Sequence, residues 1–150
     1  RISSFIKNSK IKNRNMCRSL DWLAKYDGID DRQKEVEKHA KDLSLQSAKE
    51  CMKVNGVDPK EIECIISVTS TVNIFPTISY TIQNELNLND NCRHIPLMGL
   101  GCNAGVAAIR MAMQESSHNK GTVLILTIEM SSLMYRKNEN STAGIVNNIL

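Results

Sequence analysis

The chain has 150 residues, of which 41% are hydrophobic and 23% are charged, with a net charge of +3. This length and composition are typical of one soluble globular domain and do not favour a disordered chain. Because no segment holds the ~18 to 20 uninterrupted apolar residues of a membrane helix, and no apolar signal-peptide core follows Arg1, we expect a cytosolic protein without a membrane partner.

The start of the chain is basic, since six cationic residues precede Asp21, the first acidic one. Two interpretations stay open: a solvated surface, or contact with the phosphates of a carried substrate or with an acidic carrier protein. Aromatic residues make up 4% of the chain, too few to stack on bases, so nucleic acid is not an expected partner. Five cysteines without zinc-type spacing predict reduced thiols and no metal site.

Hydrophobic periodicity predicts a long amphipathic helix over Asp31–Asn55, with Gly56 at its C-terminal cap. The short apolar run Cys64–Val68 is rich in β-branched residues, which predicts a strand buried on both faces. Pro76 is expected to open a second helix, and a second strand is expected over His94–Leu100.

The segment Asn103–Ser116 predicts a third helix in which Arg110 is nearly the only polar interruption. A helix that is apolar almost all round must be buried, so we expect it to be enclosed on every side. Another fully buried strand is expected over Thr122–Ile128. Alternating strands and helices with such connections predict an α/β fold with two right-handed crossovers and a largely parallel sheet.

The most specific signal is the segment Gly99–Gly105, which joins the second strand to the apolar helix. In one interpretation Cys102 is a nucleophile, because a helix N-terminus favours the thiolate and the flanking glycines let a substrate carbonyl approach the backbone. In a second interpretation Cys102 is only a small buried hydrophobe at a tight turn.

A third interpretation is an NAD-binding Rossmann domain, because Gly99-x-Gly101-x-x-Ala104 follows a strand, opens a helix and precedes a strand that ends at Glu129. Against it, Glu129 lies further from Gly101 than the ~20 residues of that fingerprint. A complete strand–helix unit also precedes the glycines. A hydrolase elbow is excluded, since Leu100 and Ala104 occupy the places where it requires glycine.

A nucleophilic cysteine usually has a basic partner. His94 lies about 26 Å from Cys102 along a strand, and His118 lies about 24 Å away along a helix. His39 belongs to the exposed face of the first helix. The acid and base groups of a cysteine enzyme are therefore not expected in this chain.

The segment Gly101–Gly105, the apolar helix, Asn119-Lys120-Gly121 and the run V-L-I-L-T-I-E together resemble the nucleophile region of chalcone synthases and other type III polyketide synthases. Ser9–Met16 resembles the family's basic N-terminal segment, and Asp31–Gln33 resembles the start of its first long helix. The resemblance implies that residues 1–150 form the N-terminal half of a thiolase-like condensing enzyme. It implies an acyltransferase that condenses an acyl starter with malonyl thioesters by a decarboxylative Claisen reaction.

By position, the resemblance implies that Cys102 carries the growing acyl chain. It also implies substrate-contacting or cavity-lining positions at Ser70, Thr71, Phe75, Ser131 and Met134. Phe75 would reach across a homodimer into the partner's cavity. Ordinary alternatives are loop hydrogen bonding for the three hydroxyl residues and simple packing for the other two.

The phosphate-binding lysine of the plant enzymes falls on Asn8, so Lys7 and Lys12 would take over contact with coenzyme A. Some family members receive their starter from the acyl carrier protein of a fused synthase, and an altered coenzyme A site fits that route. No bound cofactor is expected beyond these thioester substrates.

The family's catalytic histidine and asparagine belong to its second half, and decarboxylation needs those donors. The chain alone is therefore expected to be inactive in condensation. Absence of the second half should leave a large apolar face. The non-enzymatic alternative is a truncated relic or a partner-binding module of the same fold.

Overall fold

A computed structural model describes residues 7–8, 10–26, 28–119, 121–137, 139, 141–142 and 144. The chain divides into two compact units, one of Arg1–Val36 with Met130–Leu150 and one of Glu37–Glu129. Within the described part, no helix is long and apolar enough to span a membrane. The same residues contain no group of three or more histidine, cysteine or acidic side chains placed to hold a metal ion.

The second unit is built on a three-stranded parallel sheet of β1 (Ile62–Thr69), β2 (Arg93–Met98) and β3 (Thr122–Thr127), in the order β2-β1-β3. Strand β1 is central and buried over nearly its whole length, as its apolar composition predicts. Strand β3 is only partly buried, so the prediction of full burial is wrong there, because among the described strands it pairs on one side only.

Among the described residues, the α-helices whose bounds are given are α1 (Leu20–Lys25), α2 (Ile29–Asn55), α3 (Ile78–Leu86) and α4 (Ala104–Asn119). The long helix α2 confirms the prediction and ends as expected, with Gly56 at a φ of +62° and the N–H of Val57 donating to the carbonyl of Met52. Helix α3 begins two residues after Pro76, with Thr77 as its N-cap. The predicted order of strands and helices is confirmed.

Helix α4 packs one face on the sheet, where Ala104 and Ala108 are fully buried against Cys64, Ile66 and Val68 of β1. The opposite face is open: the exposed fractions are 68% for Val106, 56% for Ile109 and 67% for Met113. The prediction that α4 is enclosed on every side is therefore wrong for this chain, since the sheet covers only one side of the helix. The exposed side chains of Val106, Ile109 and Met113 confirm the separate expectation of an uncovered apolar face.

Candidate active site

Cys102 lies in the turn that carries the chain from β2 into α4. Gly99 and Gly101 have φ angles of +75° and +55°, a left-handed conformation that side chains disfavour. A 3₁₀ turn over Gly101–Asn103 follows, closed by the N–H of Ala104 donating to the carbonyl of Gly101. The thiol of Cys102 is exposed at this turn, so the interpretation of Cys102 as a buried hydrophobe is wrong.

The other cysteines differ from Cys102 in their surroundings. Cys64 is buried in β1 and Cys92 is buried directly before β2, and desolvation raises the pKa of both thiols, to about 11 for Cys92. Cys17 is half-buried, and Cys51 is exposed on α2. Among the cysteines, only Cys102 combines exposure with a position in the turn that follows a strand.

The carboxyl ends of the three parallel strands lie at one edge of the sheet. The register places Thr69 opposite Met98 and Val68 opposite Thr127. The segments that follow the strands, which carry Ser70 and Thr71, Cys102, and Glu129, therefore leave the sheet at the same edge. In open α/β sheets this is the edge at which ligands bind.

Glu129 holds the loop after β1 in place. Its carboxylate accepts hydrogen bonds from the N–H of Ser70 at 2.8 Å, from the N–H of Thr71 at 3.0 Å and from the hydroxyl of Thr71. The hydroxyl of Thr71 thus makes the loop hydrogen bond that its alternative interpretation predicts, while Ser70 is exposed. The carboxylate thus holds this loop in place, a structural role that the Rossmann interpretation does not predict.

Phe75 projects into solvent from the loop between β1 and α3, with 78% of its surface exposed. Packing within its own chain therefore does not account for it. A large exposed aromatic side chain is a frequent feature of protein–protein contacts.

Two histidines of this unit, His94 and His118, have partners other than Cys102. The ring of His94 stacks on Tyr80 with centroids 3.9 Å apart, and its Nε2 lies 2.9 Å from Oε1 of Gln83. Burial lowers the pKa of His94. Nδ1 of His118 lies 2.8 Å from the carbonyl oxygen of Gln114. These partners agree with the prediction that neither histidine serves Cys102.

The remaining predicted positions belong to the first unit. Ser131 and Met134 are half-buried at the two ends of a 3₁₀ turn, Ser131–Met134, whose Leu133 is fully buried. Lys7 and Lys12 are exposed, which leaves their charges in solvent.

Sequence reasoning missed Arg32, which is 3% exposed near the start of α2. Its guanidinium donates to main-chain carbonyls on both sides, including those of Leu23 and Leu133. The sequence feature that could have drawn attention to Arg32 was its position in Asp31–Gln33, one of the segments that carry the family resemblance. A charged side chain at the start of an amphipathic helix otherwise predicts exposure.

Comparison with known proteins finds similarity along nearly the whole chain. The family described as FAE1/Type III polyketide synthase-like protein matches residues 14–150. The phloroglucinol synthase of Pseudomonas fluorescens is 27% identical over 142 residues, which cover 94% of this chain and 41% of that protein.

Solved structures show the same fold. The crystal structure of 1,3,6,8-tetrahydroxynaphthalene synthase from Streptomyces coelicolor, a bacterial type III polyketide synthase, matches with a TM-score of 0.90 and 25% identity, covering 98% of this chain and 43% of that one. The C-terminal type III polyketide synthase domain of Steely1, a type I/III hybrid from Dictyostelium, matches with a TM-score of 0.84 and 24% identity, covering 98% of this chain and 42% of that one. The chain thus spans less than half the length of the relatives it matches.

Proposed function

Because the chain belongs to the FAE1/type III polyketide synthase-like family, we propose that it is the nucleophile-bearing half of an enzyme that condenses an acyl starter with malonyl thioesters. The observation that carries the proposal is the exposed thiol of Cys102 on a glycine-built turn at the carboxyl edge of the parallel sheet. A thiol in that position is open to a thioester and lies at the sheet edge from which the loop after β1 also leaves.

In the proposed first step, the sulfur of Cys102 attacks the carbonyl carbon of the starter thioester. A new carbon–sulfur bond forms, the old one breaks, and the carrier thiol leaves with the proton. A malonyl thioester then loses carbon dioxide, and its enolate carbon attacks the acyl group on Cys102, which releases the cysteine thiolate. Donors that stabilise the enolate are expected from the second half of the enzyme, not from this chain.

The site assignments around Cys102 follow from the same family membership. Ser70 and Thr71 would border the reacting acyl group, because their loop leaves the same sheet edge as Cys102. Ser131 and Met134 would line the cavity that receives the lengthening chain. Phe75 would enter the partner's cavity in a homodimer, a role that its exposed ring supports.

The starter is proposed to arrive as a thioester of coenzyme A or of an acyl carrier protein. Lys7 and Lys12 are exposed cations that would contact the phosphates of either carrier. The test compares the rate of starter transfer to the full-length protein from acyl-coenzyme A with the rate from the acyl carrier protein. A strong preference for free acyl-coenzyme A would count against the carrier-protein route. The enzyme is proposed to work in the cytosol.

The decisive test is acylation of the full-length protein with a labelled acyl thioester, followed by peptide mass spectrometry and product analysis with malonyl-coenzyme A. We expect acyl label on Cys102 and polyketide product, both abolished by Cys102→Ala. Cys51→Ala is the matched control, since Cys51 is also exposed but lies on α2, and it should react like the parent protein. Equal labelling of Cys102 and Cys51 without product would instead indicate a relic of the fold.

A further inference from the structure

Arg32 joins the ends of two short helical segments of the first unit. Its guanidinium donates to the carbonyl oxygens of Leu23 at 2.7 Å and Tyr26 at 2.9 Å, where α1 ends. It also donates to the carbonyl of Leu133 at 2.8 Å and to that of Tyr135, where the 3₁₀ turn Ser131–Met134 ends. One buried side chain thus satisfies carbonyls that lie 101 and 103 residues along the chain from it.

The physical chemistry of this contact favours arginine. The last carbonyls of a helical segment lack partners within the segment and carry its negative dipole end, so a buried cation between two such ends is stabilised by both. The planar fork of the guanidinium offers five donors in a fixed geometry, whereas lysine offers a single compact ammonium group. Hydrogen bonds to a charged donor are also stronger than neutral ones.

The turn held by Arg32 is the segment on which Ser131 and Met134 lie. Carbonyls of Leu133 and Tyr135, on either side of Met134, both accept from Arg32. A second support comes from Cys17, whose N–H donates to Oγ of Ser132 at 3.2 Å. Without Arg32 the turn would retain the buried side chain of Leu133. It would lose the hydrogen bonds that fix the carbonyls of Leu133 and Tyr135.

We propose that Arg32 is a positioning residue for polyketide elongation: it fixes the Ser131–Met134 turn and thereby sets how many extensions the enzyme completes. The inference rests on the proposed function, in which that turn lines the elongation cavity. Loading of the starter depends on Cys102, which lies in the other unit. Loss of Arg32 should therefore change the length of the polyketide product more than it changes the rate of starter loading on Cys102.

The test compares full-length parent, Arg32→Lys and Arg32→Gln proteins. The matched control is Val36→Ala, since Val36 is 2% exposed and lies one helical turn further along α2, and its loss removes packing without removing a hydrogen bond. Three quantities are measured: hydrogen exchange of the amides of 131–135, the rate of acylation of Cys102, and the length distribution of the products.

For Arg32→Gln we expect exchange in 131–135 to rise about tenfold or more, because buried carbonyls lose charge-assisted partners. Products should shift to a different mean length while acylation of Cys102 stays within about twofold, since a factor of two is a small change in transition-state energy. Arg32→Lys should show a smaller shift in the same direction. Val36→Ala should lower the melting temperature and leave the product lengths unchanged.

The inference is overturned if Arg32→Gln leaves either the exchange of 131–135 or the product lengths at parent values, or if Val36→Ala changes product lengths equally. A parent protein that makes no polyketide would refute the proposed function, and with it the role in chain length. In that case the exchange measurement still decides separately whether Arg32 holds the turn.

Discussion

Thr71 and Glu129 are 58 residues apart in the chain, yet the N–H and the hydroxyl of Thr71 both donate to one carboxylate oxygen of Glu129. The contact ties the loop after β1 to the segment after β3, at the same edge of the sheet from which the turn with Cys102 leaves. It fixes main-chain positions at the edge where the chemistry is proposed to occur.

Replacement of Glu129 should loosen that loop. Glu129→Gln keeps one acceptor oxygen but loses the charge that strengthens three hydrogen bonds, so we expect a loss of about 1 kcal/mol in the free energy of unfolding. Urea denaturation of the parent and the variant measures this free energy. Ser70→Ala is the control, because the contact of Ser70 with Glu129 uses its N–H, and it should stay within about 0.5 kcal/mol of the parent. Equal losses in both variants would contradict the role of the carboxylate.

Alkylation by iodoacetamide should distinguish the cysteines by accessibility. In the native protein Cys102 should react readily, because its thiol is exposed, whereas Cys64 and Cys92 should be protected by burial. Peptide mass spectrometry at timed intervals gives the rates. A retained nucleophile site predicts faster reaction at Cys102 than at Cys51, which is also exposed. Rapid labelling of Cys92 before unfolding would disagree with the structure.

Several features of this fold follow from local patterns. The apolar β-branched run of β1 and the glycines around Cys102 each act through their own neighbours, so a strand and a tight turn were predictable. The hydrogen bonds of Glu129 and Arg32 were not, since they depend on which segments meet in space. The apolar composition of α4 predicts cover on all sides, but in this chain the sheet covers one face only. Composition does not say which part of a protein supplies that cover.

Cys92 should make stability fall at high pH. Its pKa is raised by burial to about 11 in the folded chain, above the value near 9 for the exposed thiol. The folded state therefore holds this proton more tightly, so the stabilisation is complete below pH ~9 and is lost as the pH rises towards ~11. Unfolding free energies at pH 8 to 11 are compared for the parent and for Cys92→Ala, because the other titrating groups are present in both. The parent should lose more stability across this window than the variant; parallel curves would refute the assignment.

The open apolar face of α4 should cause the isolated 150-residue chain to bind apolar dyes and to self-associate. Val106, Ile109 and Met113 fall on one side of the helix and are each more than half exposed, which forms an apolar surface of the kind that binds dyes and other proteins. Changing all three to glutamine should reduce binding of anilinonaphthalene sulfonate and self-association in size-exclusion chromatography. The control Gln114→Lys alters an exposed polar position of α4 and should leave both measurements unchanged.

In the full-length protein the same triple change should instead lower the melting temperature, because a second half packed on this face would then bury amides without partners. A full-length protein that tolerates the triple change as well as Gln114→Lys would show that nothing covers α4, and the two-halved architecture proposed for this chain would fail.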